Sequence, residues 1–296
     1  VAAVAGCRPG PAPADAPVGL VLSGGGAKGA WEAGLAAALL EHGLAVRLVA
    51  GSSAGALNAA LLADGRLDRL EATWRSITTD DVYTLRPSVA LSGLLPGWLT
   101  LLTLDRAGSL LDPAPLRTLI TRVLDFDRIR SSPVALRVVA MDLARRQRRL
   151  FDNHTVSVDA LMAATAMPGA FPPVEVDGQL LVDGGLTGRA PVLEALESGV
   201  PLARVLVAMS YRNDAQAARP TTIRRVLEQA FEVSMVHQIV RDTELARLKF
   251  PHVDVQLVTP SAPLALRPLE FEAEGIVRAL ALGRADALSC VDRQQE

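Results

Sequence analysis

Apolar and polar positions along this chain follow two alternating regimes. Short continuous apolar runs rich in Val and Leu give way to longer stretches whose apolar residues recur at helical spacing. Buried parallel strands read as continuous apolar runs, and helices between them cover both faces of a sheet. "VGLVLS" therefore predicts a first buried strand, and "AKGAWEAGLAAALLEHG" a helix closed by Gly43. "AVRLVAGS" predicts a second strand, and "AGALNAALLADG" a helix ending at Gly65. "ALRVVAMDL" and "RRLFDN" read as paired strands around a polar turn, "QLLVDGG" as a short strand ending in a turn, and "RVLVAMS" and "HVDVQLVTP" as further strands. Long helices are expected over Thr222 to Lys249 and Phe271 to Ser289. This alternation is that of an α/β domain with a mainly parallel sheet.

Composition narrows the picture. The chain has 296 residues, half of them hydrophobic, which suffices for a sizeable core. A net charge of −2 and 4% aromatic residues argue against a nucleic-acid-binding face. The four histidines, His42, His154, His237 and His252, show no metal-ligand spacing, and two cysteines, Cys7 and Cys290, build no disulfide framework. Lys28 and Lys249 are the only lysines, so a Lys inside a glycine loop stands out. Val4-Ala5-Gly6-Cys7 resembles a bacterial lipobox, which predicts lipidation of Cys7 and anchoring to the membrane in the bacterial cell envelope; the alternative is a chance cysteine in a cytoplasmic protein. Arg8 to Pro17 suits a semi-extended tether. The uncharged run Pro87 to Leu104 approaches the length of a spanning helix but is broken by Pro87, Gly93, Pro96 and Gly97, and reads as core helices or an apolar cap. "ARRQRR", Ala144 to Arg149, reads as a solvated turn or a patch that meets anionic lipid.

Three short motifs carry the chemistry. Gly24-x-Gly26-x-x-Gly29 matches a dinucleotide fingerprint, but the second strand ends in "LVAGSSAG" without the carboxylate that would bind a ribose, and Lys28 is followed by Gly29 rather than by the Ser/Thr of a phosphate loop. Gly51-Ser52-Ser53-Ala54-Gly55 is G-x-S-x-G between a strand and a helix, the arrangement that projects a nucleophilic serine from a sharp turn. Asp183-Gly184-Gly185 ends a strand and offers a carboxylate base. When Ser53 attacks an ester, charge develops on the carbonyl oxygen. Backbone amides free of side chains must then approach it, and the glycine run together with the amide of Ala54 can supply them. Lys28 can steady the loop, attract an anionic head group, or stand as a solvated residue of the first helical turn.

The ordered blocks "SGGGAKG", "GSSAG", "AATAMPGAFPPVEVDGQLLVDGG" and its closing "DGG" resemble bacterial patatin-like phospholipases over about Val18 to Leu288, best from Val18 to Pro191. The resemblance implies a three-layer α/β/α sandwich with a mainly parallel central sheet. It implies a Ser–Asp dyad without histidine that hydrolyses acyl esters of phospholipids and neutral lipids, with no cofactor and no metal. By motif position Ser53 is the nucleophile and Asp183 the general base. Gly24, Gly25, Gly26 and Ala54 form the oxyanion hole, supported by Lys28, Gly29, Gly51, Gly55, Gly184 and Gly185. Lipid substrate and a membrane surface are the implied partners. Arg189 stands where the family commonly has Asn. The expected organisation is a lipobox remnant and tether over 1–17, a hydrolase domain over 18–290 and a tail over 291–296. Two alternatives remain: a Ser-Asp-His esterase using His237 or His252, since Ser…Asp…His is the chain order of α/β-hydrolases, and a non-catalytic lipid-binding protein on a hydrolase fold.

Overall fold

A computed structural model describes residues 4–5, 16–86, 89, 108–212 and 219–292. Eleven strands occur among them: β1 (Val4–Ala5), β2 (Val18–Leu22), β3 (Val46–Gly51), β4 (Thr84–Leu85), β5 (Leu111–Asp112), β6 (Ala135–Asp142), β7 (Gln147–Phe151), β8 (Val174–Val176), β9 (Gln179–Asp183), β10 (Arg204–Ala208) and β11 (Asp254–Thr259). Nine form one mixed sheet in the order β1-β11-β10-β2-β3-β6-β9-β8, with β7 also paired to β6; β4 and β5 make a separate small ribbon. From β1 to β6 every neighbour is parallel, whereas β7, β8 and β9 join antiparallel. β2 and β10 are buried along their whole length, as strands covered on both faces must be.

Helices cover both faces. α1 (Gly29–Glu41) follows β2, and α2 (Ala54–Asp64) follows β3. α1 is buried nearly all round because the helix Ala273–Asp292 lies directly on it. A Cβ at Gly34 would meet the Leu280 carbonyl oxygen at 2.2 Å, and one at Gly283 would meet the Trp31 carbonyl oxygen at 2.1 Å. Glycine is required at both because the two backbones touch. Trp31, wholly buried in this layer, satisfies its indole N–H on Asp286 at 2.8 Å. The opposite face is closed by the short helix Val192–Leu196 and by Ile223–Lys249, whose Met235 and Ile239 pack with Val205, Val207 and Val255 of the sheet. The molecule is thus an α/β/α sandwich.

The strands and long helices read from the sequence lie where expected, and Gly43 and Gly65 end α1 and α2 with φ of 82° and 77°. Val4 and Ala5 pair with Val258 and Thr259, covering an edge of β11 that would otherwise present unpaired amides. Cys7 and the run Pro87 to Leu104, apart from Val89, lie outside the described residues. Among the described residues no helix is long and apolar enough to cross a membrane. The "ARRQRR" segment spans the turn after β6 and the start of β7, and three of its four arginines have carboxylate partners: Arg145 with Asp142, Arg148 with Glu194 and Arg149 with Asp177.

Candidate active site

The sheet register itself brings the serine to the aspartate. Val138 of β6 pairs with Gly51 on one side and Phe151 on the other, and Ala140 pairs with Asp183 and Arg149. β7 fills one edge, so β3 and β9 share the other and run towards each other head-on. Their ends, Gly51 and Asp183, stop two β6 residues apart. The turn that follows β3 therefore meets the turn that follows β9.

Short hydrogen bonds fix both turns to one segment. The amide of Ser53 donates to the Ala164 carbonyl and that of Asp183 to the Ala166 carbonyl, each at 3.0 Å. This segment ends the helix Val158–Ala164, which Ser157 caps by accepting from the Ala160 amide. Ser52 adds a third tie: its buried hydroxyl donates to the Arg189 carbonyl at 2.5 Å, joining the elbow to the chain behind Asp183. Nothing in "GSSAG" distinguished Ser52 from a spacer.

Ser53 has φ 54° and ψ −137°, a conformation that non-glycine residues adopt at a cost of about 1–3 kcal/mol. Its flanking residues must be small. A Cβ at Gly51 would strike the Gly55 carbonyl oxygen at 2.2 Å, and one at Gly55 would strike the Leu22 carbonyl oxygen at 2.3 Å. Gly29 is tight as well, with the Ala54 methyl 3.1 Å from its would-be Cβ. The serine stands half-exposed at the start of α2, where the helix presents unpaired amides and a partial positive charge.

Asp183 is almost wholly buried. Its Oδ1 accepts the Gly185 amide at 2.8 Å, while Oδ2 has no hydrogen-bond partner. Burial pushes its pKa up, opposed by the charge of Arg189, the Gly185 amide and the nearby Ser53 hydroxyl. The Ser53 side chain is thus the neighbouring hydroxyl that the carboxylate senses, although no bond of normal length joins them. His237 and His252 are both exposed, and neither contacts Asp183; His252 rests against the Phe250 ring, 6.3 Å between centroids.

The glycine loop departs from expectation at one position. Gly24, expected among the oxyanion donors, has its amide occupied: it donates to both carboxylate oxygens of Glu32, at 2.9 and 3.1 Å. Its role is close approach, since a Cβ there would meet the Ser52 carbonyl oxygen at 2.6 Å and the Gly55 amide nitrogen at 2.8 Å. The amides of Gly25, Gly26 and Ala54 donate to no described group. Glu32 is a site residue that sequence reasoning passed over. It is fully buried, also accepts from the Ser23 hydroxyl at 2.8 Å, and its pKa is pushed up to about 8, chiefly by burial. A lone carboxylate within the otherwise apolar "GAWEAGLAAALL" was the available signal. Lys28 is likewise no solvated residue of a first turn. It is buried, its ammonium lies 3.9 Å from the Tyr211 ring centroid and 3.5 Å from Glu232, and burial lowers its pKa.

The family model described as patatin-like phospholipase matches residues 20–196, which hold Ser53, Asp183, the glycine loop and Glu32. This chain belongs to the patatin-like phospholipase family. Membership supports lipid hydrolysis as its activity class. An uncharacterized NTE family protein of Mycobacterium tuberculosis is 34% identical over 176 residues, 59% of this chain and 44% of the relative. A patatin-like phospholipase domain-containing protein of Caenorhabditis elegans is 29% identical over 178 residues, 59% of this chain and 12% of that one. The chain spans less than half the length of such curated relatives. Among solved structures, VipD from Legionella pneumophila superposes with a TM-score of 0.46 at 16% identity, covering 96% of this chain and 68% of that one. In this chain, Arg189 occupies the position noted for its departure from the family, and it too is buried.

Proposed function

We propose that this chain cleaves carboxylic esters of lipids through a Ser53–Asp183 dyad and an acyl-enzyme. The observation that carries the reading is the pairing of a strained serine with a buried carboxylate whose outer oxygen is unpartnered, beside three free amides. Ser53 Oγ attacks the ester carbonyl carbon, and its proton passes to Asp183 Oδ2. The oxygen that gains charge meets the amides of Gly25, Gly26 and Ala54, and loss of one such donor typically costs ~3 kcal/mol of barrier. The intermediate collapses, the carbon–oxygen bond to the alcohol breaks, and the departing alkoxide takes the proton back from Asp183. Water then gives a proton to the same carboxylate, attacks the acyl-serine, and releases the fatty acid with Ser53 restored. The raised pKa of Asp183 makes it a stronger base than an ordinary carboxylate. An apolar cluster around Leu111, Ala166 and Phe171 adjoins the segment that holds both residues and suits an acyl chain. The same reading has the chain work at a membrane surface, with Cys7 acylated; the intact mass of the mature N-terminus tests that part.

The deciding experiment is a lipid panel on the purified chain with fluorophosphonate labelling. Ser53→Ala is expected to abolish both turnover and labelling. Asp183→Asn is expected to cut turnover by about a thousandfold or more, the scale of losing a catalytic base with its positioning. His237→Ala and His252→Ala are expected to keep most activity; collapse in either restores the triad alternative. Well-folded protein that neither labels nor turns over any ester would instead support a lipid-binding role.

A further inference from the structure

A trans peptide is planar, and its C=O and N–H point in opposite directions. The Gly25 amide is therefore aimed by whatever holds the carbonyl of Gly24. That carbonyl accepts the Ser210 hydroxyl in a short hydrogen bond, and more weakly the Ser23 hydroxyl at 3.4 Å. The next peptide obeys the same rule with a different holder: the Gly25 carbonyl accepts the Lys28 amide at 3.3 Å, which aims the amide of Gly26. One donor is thus set by the loop's own backbone and the other by a side chain 186 residues away. Sheet register brings that side chain in. Ala208 of β10 pairs with Leu22 of β2, so the chain two residues beyond each strand places Ser210 beside Gly24.

Ser23, Glu32 and Ser210 form a closed buried set around this contact. A serine hydroxyl has one proton to give. Ser23 gives its proton to Glu32 Oε1 at 2.8 Å and accepts the Ser210 amide at 3.3 Å. Ser210 gives its proton to the Gly24 carbonyl, and its oxygen lies 3.3 Å from Glu32 Oε1. Glu32 keeps its own proton up to about pH 8 and fills that last contact as donor. Glu32 also takes the Gly24 amide, so Gly24 is held at both its N–H and its C=O. Hydrogen bonds linked in this way polarise one another in a low-dielectric interior.

We infer that Ser210 is a positioning residue for ester cleavage: its hydroxyl, seated by Glu32, turns the Gly24–Gly25 peptide so that the Gly25 N–H faces the oxygen of the reacting carbonyl. The inference rests on the esterase reading and adds to it a residue that touches neither substrate nor reacting atoms. Glycine on both sides of this peptide leaves no Cβ to resist its rotation, so the plane needs an outside hold. The benefit falls on the transition state, where the oxygen is charged, rather than on substrate binding.

The test has a kinetic arm and a structural arm. Ser210→Ala is expected to lower kcat about tenfold to a hundredfold with KM little changed, short of the 10²–10³ typical of deleting a donor outright. Ser210→Thr returns the hydroxyl and is expected to recover most of the loss. Ser210→Cys keeps the volume with only a weak donor and is expected to stay low, which guards against a packing defect in the alanine variant. Glu32→Gln, with an oxygen for the Gly24 amide and an N–H for Ser210, is expected to stay closer to wild type than Glu32→Leu. A thionoester, with sulfur in place of the carbonyl oxygen, gains less from amide donors than its oxygen ester. The preference of wild type for the oxygen ester is therefore expected to shrink in Ser210→Ala. Unchanged kcat, a loss carried by KM, or an equal fall on both esters overturns the positioning role. The structural arm needs no turnover. In protein labelled with 15N-glycine, residual dipolar couplings report the direction of each amide. The Gly25 coupling is expected to change in Ser210→Ala while that of Gly26, held by the Lys28 amide, does not; an unchanged Gly25 coupling overturns the inference. Absence of ester turnover and of Ser53 labelling in wild type would sink the esterase reading, while these couplings still judge the orientation.

Discussion

Two glycine-rich turns meet at Ser53, and they need glycine for different reasons. In the first, Gly24, Gly25 and Gly26 have φ of 74°, 126° and 59°, conformations that cost an L-residue energy even in open space. Gly24 and Gly26 also lie against other backbone, and Gly25 against the Tyr211 side chain: the carbonyl oxygen of Pro268 would be only 1.8 Å from a Cβ on Gly26, and accepts the Ala27 amide at 2.9 Å. In the second, Gly184 and Gly185 do not have positive φ. Gly184 is there because the Val139 carbonyl oxygen would lie 2.4 Å from a Cβ, the same β6 residue that separates the ends of β3 and β9. The first turn thus fixes torsion and space together, to leave amides bare. The second fixes space alone, to seat a carboxylate.

That contrast can be broken experimentally. Gly26→Ala combines a disallowed torsion with a clash against backbone that is itself hydrogen-bonded. It should abolish ester hydrolysis and lower the denaturation midpoint by more than any other single glycine replacement compared here. Next in size is a pH effect in the first turn. Glu32 in an unfolded chain ionises near 4.5, but in the folded protein it holds its proton to about 8. Its contribution to stability is therefore fully present below about 4.5 and is lost as pH rises to about 8, on the order of a few kcal/mol. Denaturant unfolding of wild type should weaken across that window relative to Glu32→Gln, whose side chain cannot ionise; parallel pH profiles would remove Glu32 from the account. Gly184→Ala should destabilise by about 1–3 kcal/mol, the usual cost of forcing a methyl into packed structure, and should move kcat by displacing Asp183. The smallest effect is expected at Gly43, whose φ is 82° but whose Cβ would meet nothing within 4 Å. Alanine there should cost about 1 kcal/mol in chemical denaturation and leave turnover intact. A larger loss at Gly43 than at Gly184 would reverse the order of space and torsion argued here.

The same contrast explains what could be read from the chain. β2, β3, α1 and α2 announce themselves by local apolar runs and terminal glycines, and G-x-S-x-G is a local motif because a strained elbow tolerates few neighbours. The resemblance supplied the sandwich, the aspartate and the glycine donors as expectations. What stayed hidden depends on partners far along the chain. Glu32 takes the Gly24 amide only because Ser23 and Ser210 complete its hydrogen bonds inside the core. Ser52 matters through Arg189, 137 residues away. Arg189 looked like a departure at a turn, and its burial in the field of Asp183 follows from packing that no local pattern encodes. β9 read correctly as a short strand, but its head-on approach to β3 lies in the register of β6.

The carbonyls of Ala164 and Ala166 hold the amides of Ser53 and Asp183 as two fittings are held on one rail. Thermal drift of the sheet then shifts both by nearly the same vector, and the separation across which a proton must pass varies less than either position does. Tolerance at the reacting atoms is set by a three-residue span of backbone rather than by the stiffness of the whole domain.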